Sequence, residues 1–184
     1  MALDTISLPY GIRDIKLTPF TDATCTAYAA GSVDLPNGRT LSFTEKEEFS
    51  QLRGDDKVIA SHGSGPTVEW ELEGGGCPLD AIKVMYGGTV ATTGSTPNQI
   101  KTLTKLEDDT RPYFKIEGQA ISDSGGDLHC VIFRARATDD LSGEFKDGEF
   151  FLTGASGEGY GSLVTADVKK VWAWVQNETA TAIS

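Results

Sequence analysis

A chain of 184 residues has room for one domain with a real core and little room for two. Its formal charge of −11 and pI near 4.5 argue against affinity for a phosphate backbone, which needs lysine and arginine to displace counterions. With no basic leader and no run of about 20 apolar residues, the chain is expected to be soluble, kept in a reducing cytoplasm unless released by lysis, and without a membrane partner.

Glycines outnumber prolines 21 to 7 and are spread through the chain, which suggests short strands joined by many tight turns. Residues 1–11 are polar and weakly patterned, an arm expected to order only when packed on something else. Ile12, Ile15 and Leu17 open a first strand that ends by Pro19. The Asn37-Gly38 pair predicts a hairpin turn, because both residues tolerate positive φ. Thr40 to Lys46 follows as a strand with Leu41 and Phe43 on one face, and the densely charged segment beyond it, about 47–65, reads as a long solvated or partner-facing loop centred on Leu52 to Asp56.

The clearest strand runs from Thr67 to Glu73. Val68, Trp70 and Leu72 fall on one face, and Glu69, Glu71 and Glu73 stand in a column on the other. Neighbouring carboxylates in that column lie about 7 Å apart, two residues of strand rise, so they repel mildly. Gly74-Gly75-Gly76 is expected to break the ladder, and Pro78 to start a helix over about 78–86, with apolar Leu79, Ile82, Val84, Met85 and Tyr86 and a cap at Gly87-Gly88. Residues 91–97 read as a loop. Gln99 to Leu106, Pro112 to Ile121, Leu128 to Thr138 and Glu149 to Thr153 read as strands, and Asp123 to Asp127 as a tight turn. In the third of these, Val131, Phe133, Ala135 and Ala137 are expected to share a face. Gly154 to Gly161 reads as a flexible turn. Ala166 to Gln176 reads as a strand, with a helix left open. The sum is a mostly β domain of about eight strands with one short helix, over 12–165, followed by a C-terminal strand and tail over 166–184.

Motifs for chemistry are sparse. His62 and His129 stand in unrelated surroundings with no carboxylate or nucleophile at a spacing that demands pairing. The glycine-rich 154–161 stretch lacks the GK[ST] ending of a phosphate loop, and no GxSxG elbow is present. The acidic doublets at 55–56, 108–109 and 139–140 lack calcium-loop spacing. Cys25, Cys77 and Cys130 match no metal pattern and read as buried or half-buried thiols. The expectation is a protein that is not an enzyme, with no catalytic residue, metal or cofactor.

The order of features resembles the major tail tube protein of long-tailed bacteriophages with non-contractile tails. The carrying residues are Phe43-Thr44 to Phe49, the loop Leu52 to Ala60, the strand Val68 to Glu73 with Gly74-Gly75-Gly76, the helix Leu79 to Met85 with Tyr86-Gly87-Gly88, and Pro112 to Gly118. They span about residues 10–160, and the stretch after Gly161 fits less well. The resemblance implies a β-sandwich or partial barrel with one flanking α-helix, closing with five copies into an inner β-barrel of a hexameric ring. Rings would stack into a tail tube whose lumen passes genomic DNA without specific binding, with a tape measure protein and tail-end proteins as further partners. The protein would reside in the virion tail, and in the host cytoplasm during assembly.

The resemblance places the 47–65 loop, with the N-terminal arm, against a neighbouring ring or subunit. Glu47, Glu48, Phe49, Leu52, Arg53, Asp55, Asp56 and Lys57 are its candidate contact residues, Arg53 and Asp55 as inter-ring ion pairs. Glu69, Glu71 and Glu73 are candidates for a lumen lining that repels phosphate evenly. Ring-forming proteins of bacterial secretion tubes share this fold. A different reading is a monomeric β-sandwich that binds carbohydrate or peptide through Trp172, Trp174 and Tyr160.

Overall fold

The computed structural model describes residues 6–183. In chain order the elements are β1 (Asp14–Pro19), β2 (Val33–Asp34), β3 (Gly38–Lys46), β4 (Phe49–Gly54), β5 (Lys57–Gly63), β6 (Thr67–Gly75), α1 (Leu79–Tyr86), β7 (Thr89–Thr93), β8 (Ile100–Thr104), β9 (Phe114–Ile121), β10 (Asp127–Ala137), β11 (Leu152–Gly159) and, after a short 3₁₀ turn at Thr165–Asp167, β12 (Trp172–Asn177). Eight strands form one antiparallel sheet in the order β2-β1-β9-β10-β11-β6-β3, with β12 also paired to β10. The domain is mostly β with one α-helix, as its sequence leads one to expect, and the barrel is not closed within one chain.

The sheet becomes two facing layers at β10. Its first half, Asp127 to Ile132, pairs with β12, and its end, Ala135 to Ala137, pairs with β11. The register against β9 slips between Ile132 and Ala135. That bulge changes which face carries the core residues: Ile132 points inward before it, and Ala135 and Ala137 after it. The single alternating face expected for Val131 to Ala137 is therefore replaced by two half-strands of opposite parity, as an extra residue in a ladder requires. Across the fold the layers touch closely. Trp70 meets Phe114 edge-on at 5.6 Å, and Phe43 lies 5.3 and 5.2 Å from the rings of Trp172 and Trp174.

The core follows from β6 and β9. Val68, Trp70 and Leu72 are buried while Glu69 and Glu71 are exposed, the alternation expected of this strand, and Phe114 and Ile116 are buried opposite them. Helix α1 begins after Pro78 and presses Ala81, Ile82, Val84, Met85 and Tyr86 into the core. The Gly87 N–H closes its end by donating to the Lys83 carbonyl at 2.8 Å.

Several sequence expectations are corrected. Gly154 to Gly161 is no flexible turn: most of it is β11, paired on both sides between β10 and β6. The ladder runs on through Gly74 and Gly75 to its end at Gly76, where φ is +92°. Asn37 has positive φ, but β2 and β3 do not pair with each other: β2 joins β1 and β3 joins β6, so the Asn-Gly turn links two strands of different neighbours. Residues 89–93, inside a segment read partly as loop, form β7 and pair with β8. Cys77 is exposed, because it stands between the Gly76 kink and the proline that starts α1, whereas Cys25 and Cys130 are buried.

Candidate functional site

Three surfaces concentrate the groups singled out above. The first is the 47–65 excursion, which is not a loop but a two-stranded ribbon of β4 and β5. Asp55 and Asp56 form its turn with φ of +48° and +61°, the backbone that a tight hairpin demands and that short aspartates tolerate. Among the described residues no other strand pairs with this ribbon. Phe49, Leu52, Val58 and Ile59 stand 50–67% exposed on it. A lone two-stranded hairpin is marginal in water, and this one displays four large apolar side chains to solvent. Glu47 and Glu48 lie at its base, where the Ser64 N–H donates to the Glu48 carbonyl at 2.9 Å. Arg53 donates to Gln51 at 3.4 Å.

The second surface is the outer face of β3, β6 and β11. Cross-strand register sets Ser42, Glu71 and Ser156 in one row and Thr44, Glu69 and Glu158 in the next. These six side chains line an open concavity of about 600 Å³. The repulsion expected in the glutamate column is relieved from β3: Lys46 donates to Glu69, and Arg39 sits 3.2 Å from Glu73. Glu71 alone of the three has no ion pair among the described residues. The edge of this face toward β10 carries further charged and aromatic groups. Arg136 stands opposite Glu158 in the ladder, Tyr160 donates to Glu158, and Arg134 lies over the Tyr113 and Tyr160 rings. Donation to Glu158, with burial, pushes the Tyr160 hydroxyl up to about 12. The face is thus acidic at its centre and paired at its rims.

Third, residues 6–11 lie along the end of the β9–β10 hairpin. The Leu8 N–H donates to Ser122 Oγ at 2.9 Å and the Tyr10 N–H to the Ile121 carbonyl at 3.0 Å, while Ile6, Leu8 and Tyr10 face outward. The first five residues of the expected arm lie outside the described residues. The aromatic groups of the binding-module reading divide: Trp172 and Trp174 close on Phe43, and Tyr160 stands against Tyr113.

One polar cluster was missed, and it corrects the reading of His129. Asp127 lies two residues before it on the same face of β10, and its Oδ2 is 3.0 Å from His129 Nε2. The fully buried carboxylate also accepts from Gln119, from Asn177 at 2.8 Å and from the Thr181 N–H at 2.8 Å. Burial raises its pKa, but the donors from Gln119, Thr181, Asn177 and His129 outweigh it and hold the group down at about 2. The i, i+2 spacing on a strand was the available signal. The cluster's work is to pin the C-terminal segment, whose Ile183 is buried.

Because the folded pKa is depressed, this stabilisation is present above about pH 4 and is lost as pH falls from 4 through 2, about 2 kcal/mol in all. Asp127→Asn should cost about that much at pH 7 and well under about 1 kcal/mol at pH 2. Urea unfolding at both pH values checks it, and an equal cost at both would refute the account.

No group of three His, Cys, Asp or Glu side chains positioned to hold a metal occurs among the described residues, and none of their helices is long and apolar enough to cross a membrane. Comparison with protein-family models gives no match, and comparison with curated proteins gives none either.

Proposed function

We propose that the chain is a structural ring subunit that closes with copies of itself, as a hexamer in the manner of phage tail tube proteins, and stacks into a tube that conducts DNA. The observation that carries this reading is the solvent-exposed β4–β5 ribbon with its apolar side chains. The open outer edge of β3, at the end of the eight-stranded sheet, supports it, since ring closure removes such edges. In the assembled tube the β3–β6–β11 face turns inward, in the virion tail and, during assembly, in the host cytoplasm. Carboxylates and hydroxyls there hold no grip on phosphate, so DNA slides past.

Negative-stain microscopy of the concentrated protein is expected to show rings or tubes, and dispersed monomers would overturn the reading. The half-exposed Trp174 beside Phe43 favours the second reading, a monomeric carbohydrate- or peptide-binding module, and monomers are what it requires. Lumen charge is tested at Glu71, where substitution breaks no ion pair. Glu71→Lys should leave tubes intact and make particles retain DNA that the parent ejects. Ejection at the parental rate would refute the lining.

A further inference from the structure

Arg134 and Arg136 stand two residues apart on β10, on the side away from buried Ala135 and Ala137. Tyrosine rings hold both guanidiniums. Arg134 Cζ lies 5.4 Å from the centre of the Tyr113 ring and 5.7 Å from that of Tyr160, and Arg136 Cζ lies 5.2 Å from Tyr113. The two rings meet each other edge-on at 6.2 Å. Stacking of this kind fixes the plane of a guanidinium and leaves its N–H edge free to donate.

Among the described residues nothing takes up those donors. Lys16, Arg111, Lys115, Arg134 and Arg136 are the half-buried cations there. The first three have carboxylates: Asp34 at 3.9 Å from Lys16, Asp140 at 3.6 Å from Arg111 and Glu117 at 2.7 Å from Lys115. Arg134 and Arg136 have neither an ion pair nor a hydrogen-bond acceptor among the described residues, and Arg134 Nε is buried with no partner. Cations that have lost part of their water are ordinarily paired, so this pair is left open for an anion.

The charges around it define that anion. Glu158 faces Arg136 across the ladder, but its carboxylate accepts from the Tyr160 hydroxyl. Asp139, beyond the end of β10, accepts from Ser156. Asp22, which shares Cys25 with Arg134 as a neighbour, accepts from the Thr24 N–H at 2.9 Å and hydroxyl at 2.7 Å. Two guanidiniums thus meet the single carboxylate of Glu158 on their own face. A phosphate dianion or a polyanion would also face Glu69 and Glu71, which continue the face beyond Glu158. A carboxylate brings one charge, matches the planar fork of a guanidinium, and can lay its carbon body against the tyrosine rings.

We propose that Arg134, Arg136, Tyr113 and Tyr160 form a binding site for a monocarboxylate, carried by a small organic acid or by an acidic side chain of a partner protein. The site stands apart from the tube reading and does not depend on it.

NMR of the arginine Nε–Hε groups in the full chain tests this. Benzoate should shift the Arg134 and Arg136 signals to saturation while exposed Arg13 stays still, and benzamide, of the same shape without the charge, should shift neither. R134Q/R136Q, checked for parental folding by circular dichroism, should bind benzoate at least tenfold more weakly by the amide signals of Tyr113 and Tyr160. Tyr113→Leu keeps both cations and should also weaken binding, which a loose cationic patch would not show. A blocked Gly-Glu-Gly peptide that binds as tightly as benzoate supports the site with a partner's side chain as its ligand, and one that binds tenfold more weakly supports it with a small acid. Equal shifts with benzamide, equal movement of Arg13, tighter binding of inorganic phosphate, or unchanged affinity in R134Q/R136Q would each overturn the site.

Discussion

Excision of residues 47–66, with Lys46 joined to Thr67 through an Asn-Gly turn, is expected to give a folded monomer that forms no tubes. Lys46 and Thr67 are already partners in the ladder, so a two-residue turn closes β3 onto β6 without moving either strand. No ribbon residue is buried, and none belongs to the core cluster, so stability should change by less than about 1 kcal/mol. Assembly should respond far more strongly. Each of Phe49, Leu52, Val58 and Ile59 contributes about 1–2 kcal/mol when it leaves water, and the loss recurs at every subunit of every ring. Urea unfolding measures the first expectation, and sedimentation with microscopy the second. Undiminished tubes would show that the ribbon joins nothing.

How far these surfaces are legible in the sequence depends on the signal each element leaves. Thr67 to Glu73 declares itself because one side of the strand is dry and the other wet, and Phe114 to Ile121 because apolar Phe114 and Ile116 alternate with Lys115 and Glu117, although the fold covers both of these charged side chains too. Helix α1 is readable from Pro78 at one end and Gly87 at the other. Strand β11 is hidden for the opposite reason. Its sequence, LTGASGEG, has turn composition, and Gly157 is there for contact with the β10 backbone, a demand visible only once β10 is in place. The bulge in β10 is likewise invisible, since it comes from one chain segment serving two partner strands. The ribbon's residues were identifiable as a unit, but its charges masked a β-pattern that has no buried face to enforce it. For the glutamate column the carboxylates were legible and their counter-ions were not, because Arg39 and Lys46 meet them through cross-strand register rather than local spacing. Asp127 and His129 were adjacent in the pattern, yet Asn177 and Thr181, which close the cluster, are 50 and 54 residues away.

Gly157→Ala is expected to be strongly damaging, although it adds one methyl group. A Cβ at Gly157 would stand 2.1 Å from the Arg136 carbonyl oxygen and 2.8 Å from the Ala137 Cα. Both are backbone atoms of β10, so no side chain can swing aside. Relief requires β11 to separate from β10 where the sheet becomes two layers, since only Ala135 to Ala137 join these strands. The same movement drags Trp70, the ladder partner of Gly157 on its other side, away from Phe114. Overpacking of a rigid site costs about 1–3 kcal/mol and more when backbone must shift, and losing an edge-on aromatic pair adds about 1 kcal/mol. A loss of about 3 kcal/mol or outright misfolding follows. Gly154→Ala is the control on the same strand: its nearest neighbour is the Leu72 carbonyl oxygen at 3.9 Å, ordinary contact, and its cost should stay below about 1 kcal/mol. Equal urea midpoints for the two variants would mean that β10 and β11 do not meet as closely as described. The alignment of Glu69, Glu71 and Glu158 on one continuous outer face with the arginines of β10 would then lose its basis, because the junction at Gly157 is what joins β11 to β10.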